Sequence, residues 1–458
     1  MHKLGAVFRE PHSEVHVPRQ FPLRRLPRAA REGLGAGRRA GGGSRRGLRS
    51  TAALCTTMSA LAATSLVTAP SVAEPFSPAP CALQRTDAHH SEGLDTWNAA
   101  YPRPARVLDA VMVFLSFPDS RPRTAPRALA DDHFPATTRF FQRASYGKFT
   151  LRPHPLRHWL RMPRPSTRYA IRRDWSPEHR AAYLRDALAA ADGHVDFSRY
   201  DVVYLVADPD APGVDSDATK VVNLDAPLRA DGTDIRRVVT VFENHPPDRL
   251  VLAHETGHVF DLPDLYHRPV DGKGDWDTHV GDWDLMGSQF GLAPDLFGWH
   301  KWKLGWLQPR QVTCVRGGGP TRLTLEPLGA GPGVRVTGAA GAPAFGLGRG
   351  TKLAVVRTGS GDALAFEARG PVGNDVAACR AGVLVYRVRN GAESGGGPVE
   401  VVDAHPRTEA CWQDSVYPPL ADAPVALGES FTVPGEDVRV EVEGRTASGA
   451  WTVKITTG

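Results

Sequence analysis

Beyond its first 50 residues, the sequence lacks an excess of basic charge, although its pI is near 9.0. Residues 1–50 contain 12 Lys and Arg against 3 Asp and Glu, and the remaining residues contain 43 against 47. A nucleic-acid-binding surface needs basic residues in the folded part of the chain. The basic signal belongs instead to an N-terminal leader, and we expect no nucleic-acid partner.

Long uninterrupted hydrophobic runs are also absent. The apolar stretch at residues 51–68 is short and broken by Thr and Ser, which favours a secretory signal peptide over a transmembrane anchor. The basic leader precedes it, and the small residues Ser71, Val72 and Ala73 fit a cleavage site after Ala73. We therefore predict a secreted protein with no stable membrane anchor; no pattern indicates its oligomeric state.

Cysteine is scarce, with five residues in the chain. Cys55 lies in the predicted signal peptide, and an even number in the exported remainder indicates two disulfides. We favour the pair Cys379–Cys411, which leaves Cys81 with Cys314. The lesser alternative for Cys81 is a thiolate that covers a metal site before activation.

The middle of the chain alternates between strand-like and helix-like patterns. Apolar runs predict strands at 107–117, 149–160, 200–207 and 237–243. Helical spacing and cap residues predict helices over 128–144, 176–191 and 250–260. This order of elements predicts an α/β domain over residues 104–310, in which the last helix follows the last strand.

The C-terminal part changes to glycine-rich turns between short runs of Val, Leu and Thr. This pattern predicts an all-β, sandwich-like domain over residues 311–458. Residues 74–103 are rich in proline and weakly patterned, as in a linker or a short pro-segment, and residues 1–73 form the leader and signal peptide. The clearest C-terminal runs are 353–356, 383–388, 399–402, 438–442 and 451–455.

The most informative stretch is HETGHVFDLPDLY, residues 254–266. On a helix, His254 and His258 share one face and can bind one ion, with Glu255 beside them. Catalytic zinc usually has three protein ligands and a fourth position for water. Glu255 is then placed to take a proton from that water and to deliver it to a leaving amine.

One class of zinc peptidases takes its third ligand from a glutamate on a later helix. No Glu occurs between Glu255 and Glu326, so this solution is effectively closed here. In the pattern H-E-x-x-H-x-x-G-x-x-H, which includes a later methionine turn, Asp261 occupies the glycine position and Asp264 the third-ligand position. Aspartate tolerates the left-handed conformation that ends such a helix, and Pro263 reinforces the exit. We favour Asp264 as ligand; the alternative is that Asp261 binds the metal and Asp264 caps the helix.

Several further features have a functional interpretation and a structural one. Met286 is normally core filling, but after this motif it is the candidate for the hydrophobic floor of the metal site. The acidic segment 271–284 is interpreted mainly as a solvated insertion, with a Ca²⁺-stabilised loop as the alternative. Residues 238–242 are expected to form the edge strand on which a peptide substrate would lie, with a structural strand that has no substrate role as the alternative. Spacing does not select among Tyr266, His267 and His245 as the group that stabilises an oxyanion.

The chain resembles the immune inhibitor A family of secreted zinc metallopeptidases, within the metzincin group. The resemblance covers about residues 106–390 and is carried by HETGH with LPDLY, by WDLMGS at 283–288, and by KWKLGWL at 301–307. Weaker matches are FF at 140–141, SYGK at 145–148, FEAR at 366–369 and GVLVY at 382–386. Snapalysin-type proteases are similar only around residues 254–266. Asp261 departs from the family's glycine, and the segment before the catalytic region is short for a propeptide.

The resemblance implies an α/β metzincin-like catalytic domain, a mixed sheet with an active-site helix, followed by the sandwich-like domain. It implies a zinc endopeptidase with protein or peptide substrates, in which His254, His258 and Asp264 bind Zn²⁺ and Glu255 is the general base. Met286, Asp261 and Pro263 would support the site. The substitution His300→Ala is expected to reduce neither metal affinity nor proteolysis. The rival hypothesis is a secreted binding module whose peptidase-like site is inactive or latent.

Overall fold

The computed structural model describes residues 80–269, 273–331 and 350–458. The predicted leader, the signal peptide with its cleavage site near Ala73, and residues 74–79 of the predicted linker lie outside the described residues. The described residues belong to one compact unit.

The first sheet has five strands in the order β2-β1-β3-β5-β4. Strands β1, β2, β3 and β5 run parallel, and β4 is antiparallel to β5. Both faces of the central strands are buried, which explains their nearly continuous apolar sequences. The strands are β1 (Val107–Ser116), β2 (Thr150–Arg161), β3 (Val202–Ala207), β4 (Lys220–Ala230) and β5 (Thr233–Val241).

The described residues form five α-helices beside the sheets. The single helix predicted over 128–144 is wrong, because the structure has two helices there and Pro135 lies between them. The start predicted at Ser176 is confirmed, since the Ser176 hydroxyl accepts a hydrogen bond from the His179 N–H at 3.3 Å. The helices are α1 (Pro126–His133), α2 (Ala136–Ala144), α3 (Pro177–Ala191), α4 (Val251–Val259) and α5 (Gly298–Lys303).

The edge strand next to α4 differs from the prediction. Residues 238–242 were expected at the edge, but β5 lies between β3 and β4, so β4 forms the edge. Asp225 and Pro227 interrupt the apolar pattern of β4, and the pairing of β4 with β5 shifts register between Asn223 and Leu228. The strand therefore carried no clear sequence signal.

The C-terminal strands form two sheets, in the orders β11-β10-β9-β8-β6 and β12-β13-β14-β7. One core contains buried side chains from both sheets, among them Phe366, Val385, Val440 and Ile455. All five runs singled out in the sequence are strands. The strands are β6 (Val312–Val315), β7 (Gly319–Leu325), β8 (Leu353–Arg357), β9 (Asp362–Arg369), β10 (Gly382–Arg389), β11 (Val399–Val401), β12 (Ser430–Thr432), β13 (Val438–Arg445) and β14 (Trp451–Thr457).

The sheet formed by β6 and β8–β11 buries its opposite face against the helices. Leu353, Leu384 and Tyr386 of this sheet belong to the same core as Met286 and Trp299, which lie in the predicted α/β domain. The buried core is therefore continuous across the predicted boundary at residues 310 and 311. That boundary, like the predicted fold class, stays a prediction.

The segment before β1 is part of the folded core and not a free connection. Leu83, His90 and Glu92 are buried, and Cys81 forms a disulfide with Cys314. The second predicted pair, Cys379–Cys411, is also present. Both favoured cysteine pairings are thus confirmed.

No helix within the described ranges is long and apolar enough to cross a membrane.

Candidate metal centre

Helix α4 presents the two histidines of the motif on one face. His254 and His258 are each 1% exposed, one helical turn apart. The Nδ1 atom of His254 lies 2.9 Å from the Leu285 carbonyl oxygen, and that of His258 lies 2.7 Å from the Leu262 carbonyl oxygen. A carbonyl oxygen only accepts hydrogen bonds, so Nδ1 carries the proton in both rings. The Nε2 lone pairs are therefore available to a metal.

The chain leaves α4 through Asp261. This residue has φ of 68°, the left-handed conformation expected where the family pattern has glycine. The N–H of Leu262 donates to the Gly257 carbonyl oxygen at 3.2 Å, which closes the helix end. Pro263 follows, and the turn brings Asp264 back toward the two histidines.

Three ligand atoms converge at this point. His254 Nε2 and His258 Nε2 are 3.3 Å apart, and Asp264 Oδ1 lies 3.4 Å from the first and 3.1 Å from the second. Among the described residues, these three side chains are the one group of His, Cys, Asp or Glu whose ligand atoms lie within 4.8 Å of one another. Asp264 belongs to this group and Asp261 does not.

The dimensions and chemistry of this triangle fit a zinc ion. Tetrahedral ligands at about 2.1 Å from a metal are about 3.4 Å from one another, which is the spacing found here. In the neutral rings, with the proton on Nδ1, neither Nε2 donates to the other or to the carboxylate. Three electron-rich atoms then face one another in a buried place, an arrangement that a bound cation stabilises.

Glu255 lies at the junction of α4 with the edge of the first sheet. It is 2% exposed, and its Oε2 atom accepts a hydrogen bond from the Val221 N–H at 2.7 Å. Val221 belongs to β4, the edge strand. The sequence did not predict this contact, because nothing in the pattern identified residues 220–230 as the neighbour of α4.

Met286 packs directly beneath α4. It is fully buried, and a Cβ atom added to Gly257 would lie 2.4 Å from its sulfur. Only glycine at position 257 allows this approach of the methionine. The Leu285 carbonyl oxygen beside Met286 also accepts the His254 hydrogen bond, so the methionine turn both supports α4 and orients the His254 ring.

The remaining oxygen of Asp264 is held by residues that sequence reasoning did not assign to the site. Arg268 Nη2 lies 3.3 Å from Asp264 Oδ2 and donates to the Tyr266 hydroxyl oxygen at 3.1 Å. Burial and the Asp264 carboxylate raise the pKa of Tyr266 well above its ordinary value. Tyr266 is completely buried, and its hydroxyl group lies beside Arg268 and the Asp264 carboxylate.

The other two candidates for oxyanion stabilisation have partners of their own. His245 Nδ1 lies 2.5 Å from Asp132 Oδ2. His267 Nδ1 lies 3.3 Å from His279 Nε2. These contacts select neither residue for that role.

The Asp261 carboxylate lies in a buried cluster of charges. It accepts hydrogen bonds from Arg85 at 2.6 Å and from His90 at 2.9 Å, and its backbone oxygen accepts one from Lys303 at 2.6 Å. Burial by itself raises the pKa of Asp261, but the charge of Lys303 and the hydrogen bond and charge of His90 outweigh it and hold that pKa well below its ordinary value. Arg85 and His90 are 176 and 171 residues from Asp261, and no local pattern identified them.

The expectation that His300→Ala retains zinc and proteolysis stays a prediction, but the contacts of His300 give it a structural role. It is fully buried, with Nε2 2.8 Å from Glu92 Oε1 and Nδ1 3.1 Å from Asp284 Oδ2. Burial lowers the pKa of His300, but the charges of Glu92 and Asp284 prevail and raise it to about 9. Asp284 Oδ1 also accepts the Met286 N–H at 2.8 Å. The imidazolium therefore supports the methionine turn, and a substitution at His300 is no neutral control.

The segment considered for calcium has structural contacts. Asp275 accepts the N–H of Asp277, while Asp282 accepts the N–H groups of Leu292 and Val416. Asp271 and Gly272 lie outside the described residues. A Ca²⁺ site in this segment stays a prediction, and these contacts favour the interpretation as structural loops.

No protein-family model matches the sequence, and no curated protein matches it. Among solved structures, wild-type OgpA from Akkermansia muciniphila is similar over 79% of this chain and 95% of its own, at 13% identity and a TM-score of 0.27. A likeness this weak carries no argument about fold or activity, so the function is argued from the site.

Proposed function

We propose that the protein is a secreted zinc-dependent endopeptidase with a metzincin-like catalytic region and a sandwich-like β region. The observation that carries the proposal is the buried triangle of His254 Nε2, His258 Nε2 and Asp264 Oδ1, whose edges have the length of a zinc coordination face. The signal-peptide pattern and the two disulfides support export.

A bound zinc ion supplies Lewis acidity, which polarises a peptide carbonyl group and makes water a stronger acid. Glu255 is the proposed proton carrier: a carboxylate oxygen takes a proton from water, and the resulting acid delivers it to the amine that leaves. The Val221 N–H orients this carboxylate. Because Val221 lies on the edge strand β4, we propose that an extended peptide lies along this edge, beside Glu255.

The test compares three variants of the secreted, purified chain. Glu255→Gln is expected to retain stoichiometric zinc and to lose casein hydrolysis by at least about 100-fold, since general-base catalysis contributes about that much or more. Asp264→Ala is expected to lose tight zinc binding as well as activity. Glu178→Gln, which changes an exposed glutamate at the start of α3, is the matched control.

Zinc content is measured by elemental analysis, and hydrolysis with and without a chelator. Full casein hydrolysis by Glu255→Gln would refute the mechanism. A wild-type chain that binds zinc but cleaves neither casein nor gelatin would support the rival binding module.

A further inference from the structure

The loop between β10 and β11, residues 390–398, reaches the segment that carries the third ligand. Ser394 Oγ accepts a hydrogen bond from the Asp264 N–H at 2.9 Å, and the Gly395 N–H donates to the Asp264 carbonyl oxygen at 3.4 Å. The Gly395 carbonyl oxygen accepts the Arg268 N–H at 3.1 Å. Two adjacent loop residues thus engage both backbone groups of Asp264 and one of Arg268.

These contacts extend to the carboxylate itself. Asp264 Oδ1 faces the two histidines, while Oδ2 lies 3.3 Å from Arg268 Nη2. Arg268 is held in turn by Gly395 through its backbone. The loop therefore fixes the position of Asp264 directly and the orientation of its carboxylate through Arg268.

Gly395 is a close-packed part of this contact. Its φ is 76°, a conformation that favours glycine, and an added Cβ atom would lie 2.7 Å from the Arg268 Cβ. By contrast, a Cβ atom at Gly391 in the same loop would have no heavy atom within 4 Å. The chain thus offers one glycine that the contact requires and another that it does not.

We propose that Ser394 and Gly395 are positioning residues of the metal site, so that the C-terminal β region completes the coordination of zinc by the catalytic region. The inference rests on the proposed function. The sheet formed by β6 and β8–β11 then has a second function besides core packing. It carries the loop that holds Asp264 with its Oδ1 atom close to His254 and His258.

The effect is expected in zinc affinity before any loss of folding. His254 and His258 are oriented within their own region, by the carbonyl oxygens of Leu285 and Leu262. Asp264 lies beyond the helix end, so its alignment depends on the β10–β11 loop. Loss of a contact that orients a metal ligand typically weakens metal binding about 10- to 100-fold.

The experiment measures zinc affinity by competition with a chromophoric chelator in the full secreted chain. Ser394→Ala and Gly395→Ala are each expected to bind zinc about 10- to 100-fold more weakly than the wild type. Ser394→Thr, which keeps the hydroxyl, is expected to restore most of the affinity, and Gly391→Ala to leave it unchanged. Thermal unfolding of the chelated proteins shows whether each variant is folded; if Gly395→Ala is not, the two substitutions at Ser394 decide.

The outcomes separate this inference from the proposed function. If the wild type binds zinc, Asp264→Ala loses it and Ser394→Ala and Gly395→Ala bind as tightly as the wild type, this inference is wrong and the proposed function stands. If the wild type binds no zinc, or Asp264→Ala binds it unchanged, the proposed metal site fails and takes this inference with it. Weaker binding by Ser394→Ala, restored by Ser394→Thr, supports both.

Discussion

Replacing Asp261 by glycine tests whether the charge cluster at the end of α4 outweighs backbone preference. Glycine is the residue of the family pattern at this position, and φ is 68°. Backbone reasoning alone therefore expects Asp261→Gly to stabilise the protein. The structure leads to the opposite expectation, because the substitution removes the carboxylate between Arg85 and His90.

The magnitude follows from the two opposing effects. Relief of the left-handed conformation contributes about 1–2 kcal/mol, and the greater freedom of glycine in the unfolded chain offsets about 0.5–1 kcal/mol of it. Removing one partner of a buried ion pair costs about 3–5 kcal/mol, since the remaining charge is left without compensation. We expect the free energy of unfolding of Asp261→Gly to fall by about 2–4 kcal/mol.

Urea denaturation followed by tryptophan fluorescence measures this change. Arg407→Gly is the matched control, because Arg407 also has a positive φ, 76°, but is exposed and its side chain makes no hydrogen bond or ion pair with the described residues. It is expected to change stability by less than about 1 kcal/mol. An Asp261→Gly protein as stable as the wild type, or more so, would refute the reasoning.

The pH dependence of the difference gives a second check. The pKa of Asp261 is lower in the folded protein than in the unfolded chain, so its stabilising contribution is fully present above the unfolded value of about 4. It is lost as the pH falls further toward the folded pKa. The stability difference between the wild type and Asp261→Gly should therefore shrink below about pH 4.

Two further predictions concern the methionine turn. The pKa of His300 rises on folding to about 9. The protonated ring therefore contributes about 3 kcal/mol to stability below about pH 6.5, and this contribution is lost as the pH rises through about 9. In urea denaturation, the free energy of unfolding of His300→Gln should change less over this pH range than that of the wild type. Gly257→Ala forces a methyl group against Met286 and should cost about 1–3 kcal/mol, whereas Met286→Leu should cost less than about 1.5 kcal/mol. Equal thermal stability of Gly257→Ala and the wild type would contradict the packing argument.

Local patterns were sufficient to predict that the side chains of His254, His258 and Asp264 come together. His254, Glu255, His258 and Asp264 lie within eleven residues of one another, so helical spacing and the turn at Asp261 determine their relative positions. The buried strands β1 and β3 were equally clear, because continuous apolar runs are typical of strands covered on both faces. Predictions of this kind succeed where the interacting residues are neighbours in the chain.

The elements that the sequence did not reveal depend on distant partners. Arg85 reaches Asp261 across 176 residues, and Ser394 reaches Asp264 across 130. The three consecutive glycines at 395–397 predict a turn, but no local pattern states which residue that turn contacts. The edge strand β4 was missed for a different reason, since Pro227 lies where its pairing with β5 is irregular.

A common rule relates the three proposed ligands, and it explains why an aspartate is suited to position 264. Each histidine is oriented by its second nitrogen, whose N–H donates to a backbone carbonyl oxygen. A carboxylate has no N–H, so its second oxygen needs a donor, and Arg268 supplies one. A histidine at position 264 would direct an N–H toward the donors of Arg268. Asp264 and Arg268 are therefore a matched pair, and the charge of Arg268 offsets the additional negative charge that an aspartate brings into a buried site.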